Sequence, residues 1–315
     1  MQMKSFAFKT NDGTELWVNR WAPDPEEDIK GIVQLHHGLA EHSLRYDRIG
    51  SILAENGYVF NAYDMRGHGR TAELAIEKET GMFGKLADND GFNRVVEDLH
   101  EVIDSYKKEY PGKTIILFGH SFGSFVSQGY IEKYGKDIDA CVLCGTAGPR
   151  DALIFFGKIA VSLIKAIKGG DSFVPFLDTL AFGSYNERTE KKTNHDWLSR
   201  NELNVQMFFS DKWCNIPLTT SFYYDMMNGL QTIHNRSAID AIPKELPLYM
   251  IYGGMDPVGD YGKTVKKLYK IYCRKGIKNI QIKEYPEDRH EILNEVDKET
   301  VEKDLLEWIA TISKK

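Results

Sequence analysis

The sequence predicts an α/β fold, a mostly parallel and doubly wound sheet that is interrupted by a helical insert. Two observations support this prediction. Apolar runs of strand length alternate with amphipathic stretches of helix length along most of the 315 residues. Between residues 150 and 243 this alternation stops, and no strand pattern occurs. We therefore expect residues 1–149 and 244–315 to form the core, with residues 150–243 (the insert) as a helical cap on top of the sheet.

The N-terminal half of the core begins with an antiparallel pair. Residues 4–21 alternate polar and apolar around Asn11-Asp12-Gly13, a turn sequence typical of a β-hairpin. The elements expected next are, in order, a buried strand at 31–37, a helix at 45–56, a strand at 57–63, a glycine-rich loop up to residue 91 and an amphipathic helix at 92–110. The succession of strand, helix and strand indicates parallel pairing.

The rest of the core repeats this alternation. The expected elements are a buried strand at 114–118, a helix packed close to it, strands at 138–145 and 246–254, a helix around 265–272, a strand at 277–285 and a closing helix at 301–312. In the insert, residues 152–167 are apolar almost all round and are followed by Gly169-Gly170, which predicts a helix that ends there.

The strand at 114–118 runs into Gly119-His120-Ser121-Phe122-Gly123, and small residues at helical spacing follow. A strand, a Gly-x-Ser-x-Gly turn and a helix form a nucleophile elbow, in which a tight turn lifts the serine hydroxyl clear of the backbone. Such a turn leaves no room for bulk at positions 119 and 123. Ser121 is therefore the candidate catalytic nucleophile. The alternative is a Gly-x-Ser-x-Gly pentapeptide that occurs by chance.

A serine hydroxyl needs an imidazole to accept its proton and a buried carboxylate to orient that imidazole. In this arrangement the acid and then the histidine follow the serine along the chain, at the carboxyl ends of later strands. Asp256 follows the strand that ends at residue 254, and His290 is the only histidine after the last strand. The alternative role of either residue is to cap a helix. The candidates less suited by position are His100, His120, His195, His234, Asp260 and Asp288.

An acyl-transfer site of this kind also needs two backbone N–H donors for the oxyanion that develops on the substrate. One comes from the residue after the nucleophile and the other from the loop after the third strand. In this sequence these residues are Phe122 and Leu39.

Composition and motifs exclude several other functions. A net charge of −6 argues against a nucleic-acid partner. Gly67-x-Gly69-x-x-Ala72 imitates a dinucleotide-binding fingerprint, but the glycines that follow predict a loop, whereas that fingerprint opens a helix at once. Cys141 and Cys144 lie in an apolar run without the turn of a zinc or redox site. We expect no metal and no organic cofactor.

The sequence also bears on location. No apolar run approaches the roughly 18 residues of a membrane span, and the N-terminus has no apolar signal-peptide core. Four cysteines without a disulfide pattern fit a reducing compartment, so a cytoplasmic location is predicted.

Five sequence blocks resemble one branch of the α/β-hydrolase superfamily, the monoacylglycerol lipase and lysophospholipase-like serine hydrolases. The blocks are, in order, His37-Gly38-Leu39-Ala40-Glu41-His42 with Arg45-Tyr46, Asp64-Met65-Arg66-Gly67-His68-Gly69, Gly119 to Gly123, Gly254-Met255-Asp256-Pro257, and Arg289 to Glu295. The similarity covers the chain outside the insert. One departure is Ala40, where the family usually has glycine beside the oxyanion loop, a change that would narrow the pocket.

The resemblance implies hydrolysis of carboxylic esters through an acyl-enzyme, with a monoacylglycerol or lysophospholipid as substrate. The alternatives are a carboxylesterase for small or aromatic esters, a serine aminopeptidase relative, and a non-catalytic ligand-binding protein. The insert would set substrate choice, and its candidate substrate contacts are Phe155, Phe156, Met207 and Phe222. Residues 152–167 suit an acyl channel, transient contact with a membrane surface, or a lid helix packed on the sheet. The oligomeric state cannot be read from the sequence.

Overall fold

Eight strands form one sheet in the computed structural model, which describes residues 1–24 and 29–313. They are β1 (Gln2–Lys9), β2 (Glu15–Ala22), β3 (Gly31–His36), β4 (Tyr58–Asp64), β5 (Thr114–His120), β6 (Ala140–Cys144), β7 (Leu248–Gly253) and β8 (Ile280–Tyr285). Their order is β1-β2-β4-β3-β5-β6-β7-β8. β1 pairs antiparallel with β2, and β2 with β4, whereas all later pairs are parallel. The predicted hairpin and mostly parallel sheet are therefore confirmed.

Helices cover both faces of the sheet, as continuous apolar strands require. The core helices are α1 (Asp47–Glu55), α2 (Gly69–Glu77), α3 (Gly91–Glu109), α4 (Phe122–Tyr134), α10 (Lys263–Arg274) and α11 (Lys298–Ile312). One hydrophobic cluster packs α3, α4 and α10 on one face, and a second packs α1 and α11 on the other. This is the doubly wound arrangement that the sequence predicts.

The stretch between β6 and β7, described throughout, contains five α-helices and no strand longer than an isolated bridge. They are α5 (Asp151–Lys168), α6 (Pro175–Phe182), α7 (Glu202–Ser210), α8 (Thr220–Ile233) and α9 (Arg236–Ala241). α8 packs on α3 and α4, and Gly229 permits close approach because a Cβ there would lie 2.2 Å from the Phe92 ring. The role of this stretch as a cap, and its exact limits, stay predictions.

The prediction of a loop from the end of β4 to residue 91 is wrong in part, because α2 begins directly at Gly69. The buried carboxylate of Asp64 accepts the Arg70 N–H at 2.7 Å and so satisfies one of the first N–H groups of the helix. A Cβ at residue 69 would lie only 2.3 Å from Asp64 Oδ2, so glycine is needed for this contact. The contact of Asp64 with the first turn of α2 thus outweighs the tendency of this glycine-rich sequence to form a loop. Because the Asp64 carboxylate occupies the helix N-terminus where a phosphate would bind, the structure also argues against a dinucleotide site.

Two further findings concern location. Among the described residues, no helix combines the length and hydropathy needed to cross a bilayer. All four cysteines are free thiols, and Cys141, Cys144 and Cys214 are buried, whereas Cys273 is exposed. A cytoplasmic location itself stays a prediction.

Candidate active site

Ser121 lies on a strained turn between β5 and α4. Its backbone angles, φ 53° and ψ −121°, fall where non-glycine residues are rare. The two flanking glycines are needed for this turn. A Cβ at residue 123 would lie 2.0 Å from the His36 carbonyl oxygen, and one at residue 119 would lie 2.3 Å from Ser127 Oγ. The close approach of β3 and α4 therefore imposes Gly-x-Ser-x-Gly here, as predicted from the sequence.

His290 and Asp256 form a buried pair on the loops after β8 and β7. His290 Nδ1 lies 2.9 Å from Asp256 Oδ2, and the side chains are 2% and 1% exposed. If Nδ1 carries the proton donated to the carboxylate, the lone pair of Nε2 is left to accept another proton. The other oxygen, Oδ1, accepts the Val258 N–H at 2.8 Å. Asp256 therefore does not cap α10, which begins only at Lys263.

The insert holds His290 in place. The Trp197 carbonyl oxygen accepts the His290 N–H at 3.3 Å, and the two rings lie 5.1 Å apart. The adjacent Leu198 carbonyl accepts the Glu291 N–H at 2.7 Å. The sequence offers no signal for these contacts, because they join backbone groups about ninety residues apart in the chain.

The two predicted oxyanion donors come from different elements near Ser121. Phe122 is the first residue of α4, where backbone N–H groups have no acceptor within the helix. Leu39 follows β3 and lines the same cavity as Ser121 and His290. The Phe122 side chain is fully buried against Phe92, so the backbone alone would serve catalysis.

A buried network of charges supports the loop that carries Leu39. Glu41 Oε1 accepts the Gly38 N–H at 2.6 Å and the Tyr46 hydroxyl at 2.8 Å, and His120 Nδ1 lies 3.3 Å away. Burial alone would raise the pKa of Glu41, but the hydrogen bond from His120 and the charge of Arg45 hold that pKa well below its usual value. Glu41 is therefore ionised and fixes the backbone next to Leu39.

Arg45 connects this loop to the catalytic histidine. Its guanidinium donates to Glu41 Oε2 at 2.7 Å and to both oxygens of Glu291, at 2.6 and 2.7 Å. Asn204 of the insert donates to Glu291 as well, at 2.6 Å. Because Glu291 follows His290 directly, one buried cation links both halves of the site. Glu41 and Arg45 lie in a block quoted above, but their buried pairing with Glu291 cannot be read from that block.

Ala40, the departure from the family pattern, has a left-handed backbone with φ 52°. Its carbonyl oxygen accepts the N–H of Asn215, an insert residue, at 2.9 Å. Next to it, His42 Nε2 lies 2.8 Å from Asp211 Oδ2, also in the insert. The loop after β3 is thus hydrogen-bonded to the insert at two adjacent points.

A cavity of about 1030 Å³ opens at Ser121, between the sheet and the insert. Its apolar lining comes mostly from the insert and includes Leu153, Ile154, Phe156, Leu177, Phe182 and Met226. Of the four predicted substrate contacts, Phe156 lines this cavity. Phe155 and Met207 are 52% and 63% exposed on the outer surface of the insert, and Phe222 is buried against Phe122, so these three lie outside the described lining.

Two clusters contain side chains of the types that ligate metals. His42, Asp211 and Cys214 each place one ligand atom within 4.8 Å of the others. Burial opposes the charge of Asp211, but hydrogen bonds from the Trp213 N–H and from His42 lower its pKa, whereas burial raises the pKa of the Cys214 thiol. A charged carboxylate paired with histidine beside a protonated thiol fits a structural contact between the loop after β3 and the insert better than it fits a metal site. The second cluster, Asp288, Glu295 and Asp297, is already bridged by Arg200.

Comparison with known proteins gives one family match and several relatives along most of the chain. A family model described as serine aminopeptidase, S33, matches residues 27–297. The chain is similar to a monoacylglycerol lipase of Mycolicibacterium smegmatis, with 25% identity over 308 residues that cover 95% of this chain and 94% of the other. It is 24% identical to a monoglyceride lipase of Homo sapiens over 299 residues, which cover 90% and 86% of the two chains. Among solved structures, a highly thermostable carboxyl esterase from Bacillus coagulans in complex with glycerol has 28% identity and a TM-score of 0.87, covering 99% of each chain.

Proposed function

The chain belongs to the serine aminopeptidase S33 family of α/β-hydrolases, and from this membership we propose that it cleaves carboxylic esters with Ser121 as nucleophile. The three relatives described above are two lipases and one carboxyl esterase, which supports an ester hydrolase of that type. One observation carries the proposed mechanism. Ser121, on its strained turn, and His290, which is paired with the buried Asp256, line the same large cavity.

The proposed reaction proceeds in two halves. Ser121 Oγ attacks the ester carbonyl carbon while its proton passes to His290 Nε2, and the Asp256 carboxylate stabilises the imidazolium that forms. The N–H groups of Leu39 and Phe122 donate to the oxyanion. The intermediate collapses when His290 returns the proton to the alcohol oxygen, which leaves. Water then attacks the acyl carbonyl carbon while His290 takes its proton, and the bond from that carbon to Ser121 Oγ breaks as His290 returns the proton to Oγ, which releases the acid.

The cavity favours a substrate with a long acyl chain and an uncharged head group. Its apolar wall suits an acyl chain, whereas four carboxylates but only two cations occur among its described lining residues. One of the cations, Arg150, already donates to the carbonyl oxygens of Pro257 and Val258. Two of the carboxylates, Glu41 and Glu291, are paired with Arg45, and the other two balance the two lining cations, so the described lining offers a phosphate no net positive charge. Within the substrates expected, we propose a monoacylglycerol in preference to an anionic lysophospholipid.

The insert also offers a surface for contact with lipid. Large apolar side chains project from α5, α6 and the segment between them, among them Phe156 at 67% and Ile167 at 78% exposure. The other members of this surface are Leu153, Phe155, Ile159, Leu163, Phe173, Phe176 and Leu180. Apolar patches of this kind mark interaction surfaces. Because Phe156 and Leu153 also line the cavity, a membrane contact here would place lipid next to the entrance.

The test is kcat/KM for a series of 4-nitrophenyl esters from acetate to palmitate, with Ser121→Ala as the blank. If the acyl chain is buried in the cavity, kcat/KM rises by about fourfold for each methylene through medium and long chains. A maximum at acetate or butyrate followed by collapse would instead support a small-ester carboxylesterase. Comparison of a monoacylglycerol with the lysophosphatidic acid of the same chain then tests the preference for an uncharged head group.

A further inference from the structure

The loop that carries Leu39 contains one alanine, Ala40, in a backbone conformation that favours glycine. At φ 52°, Ala40 has a backbone conformation that glycine adopts freely but alanine does not. The preference of alanine against this conformation corresponds to roughly a 5- to 30-fold bias. Glu41 anchors the loop at Gly38, but the hydrogen bond to Ala40 itself comes from outside the loop.

The contacts that hold it come from residues 211–215 of the insert. The Asn215 N–H donates to the Ala40 carbonyl oxygen at 2.9 Å, and Asp211 Oδ2 pairs with His42 Nε2 at 2.8 Å. Asp211 also orders the donor segment itself, because its Oδ1 accepts the Trp213 N–H at 2.8 Å. Asn215 has a φ of 52°, which asparagine tolerates better than most residues.

We propose that Asp211 and Asn215 are positioning residues for the oxyanion loop, which keeps its catalytic form only while this segment of the insert is seated on it. When the insert moves away, Ala40 loses its hydrogen-bond partner and relaxes to negative φ, and this rotation displaces Leu39. The oxyanion hole is thereby taken apart. With glycine at position 40 the loop would keep its form without help, so the alanine makes turnover depend on the insert. This inference rests on the proposed function, because it assigns Leu39 as an oxyanion donor.

A double-mutant cycle between Asp211→Ala and Ala40→Gly tests the dependence. In the natural background, Asp211→Ala should lower kcat by about 5- to 30-fold with little change in KM. This factor equals the bias of alanine against the left-handed conformation. In the Ala40→Gly background, the same substitution should lower kcat by less than about threefold. The rate at which a fluorophosphonate modifies Ser121 should follow the same pattern. Glu202→Ala is the matched control, since Glu202 is an exposed insert residue on α7 paired with Lys192.

Equal losses from Asp211→Ala in the two backgrounds would overturn the proposal, as would an unchanged kcat in the natural background. If Asp211→Ala does not fold, as judged by circular dichroism, Asp211→Asn replaces it. Asparagine keeps an acceptor for Trp213 but weakens the pair with His42, so a smaller loss with the same dependence on residue 40 is expected. Absence of ester turnover in the unsubstituted protein would instead refute the proposed function, and the fluorophosphonate rates would still decide whether the loop depends on the insert.

Discussion

Arg45 should be indispensable to stability, because it is a buried cation between two carboxylates. The side chains of Arg45, Glu41 and Glu291 are 9%, 4% and 3% exposed. Replacing Arg45 with methionine fills a similar space but leaves the buried carboxylate of Glu291 without a counter-ion, and Glu41 keeps only the contact with His120. Removing one partner of a buried ion pair costs about 3–5 kcal/mol. We expect the free energy of unfolding of Arg45→Met to fall by that amount at pH 7.

The matched control is Arg48→Met, three positions further along. Arg48 pairs with the exposed Glu299 and with Glu302, which is 7% exposed, but its own guanidinium side chain is 51% exposed to water. Because water screens these pairs, we expect a loss nearer the roughly 0–1 kcal/mol of surface pairs than the roughly 3–5 kcal/mol of buried ones. Urea denaturation of both variants at pH 7, followed by circular dichroism, measures the two losses. If Arg45→Met lowers the free energy of unfolding by no more than Arg48→Met does, the buried network does not stabilise the fold as its geometry implies.

The pH dependence gives this prediction a sign. In the natural protein, burial opposes the charge of Glu291, but Arg45 lowers its pKa, so its contribution to stability is present above the unfolded pKa and is lost as pH falls. Without Arg45, burial and the neighbouring charge of Glu41 raise the pKa of Glu291 above the unfolded value, and stability then falls as pH rises through that interval. The cost of Arg45→Met should therefore shrink between pH 7 and pH 5. A cost that stays constant or grows over that range would refute the electrostatic explanation.

Three further predictions follow from the geometry. Ser121→Ala should remove nearly all ester turnover, whereas Asp256→Asn should leave more of it, since Asp256 orients and does not react; equal kcat values for the two variants would contradict the assigned roles. Gly123→Ala should lower the thermal midpoint far more than Gly112→Ala, because the new Cβ at 123 meets a carbonyl oxygen at 2.0 Å whereas at 112 nothing lies within 4 Å and only the φ of 77° is strained. Burial and neighbouring carboxylates raise the pKa of Asp288 to about 7, so its charge destabilises the fold as pH rises towards 7. In urea denaturation at pH 5 and pH 8, Asp288→Asn should be stabilising at the higher pH only, and a benefit at both pH values would exclude titration as the cause.

The sequence by itself determined the sheet, its two helical layers and the order of the candidate triad. These inferences succeed because they depend on local patterns and on chain direction. Parallel strands bring their carboxyl ends to one edge, so Ser121, Asp256 and His290 were expected to meet before any coordinate was known. The structure brings Asp256 and His290 within hydrogen-bond distance, while the catalytic roles stay proposals. The helix at Gly69 was missed because its cap is a side chain from the preceding strand.

Tertiary structure alone decided what surrounds the triad. Phe155, Met207 and Phe222 have the apolar character of pocket residues, yet two of them face outwards and one packs in the core. Which side of an insert helix meets the cavity depends on how the helices pack, and an almost uniformly apolar segment carries no periodic signal of that choice. The contact of Asn215 with Ala40 likewise joins residues more than 170 positions apart in the chain. It uses a backbone N–H and a backbone carbonyl, and every residue except proline has both groups, so residue type does not predict it. Such contacts arise from the packing of the insert on the core, and no local sequence pattern specifies them.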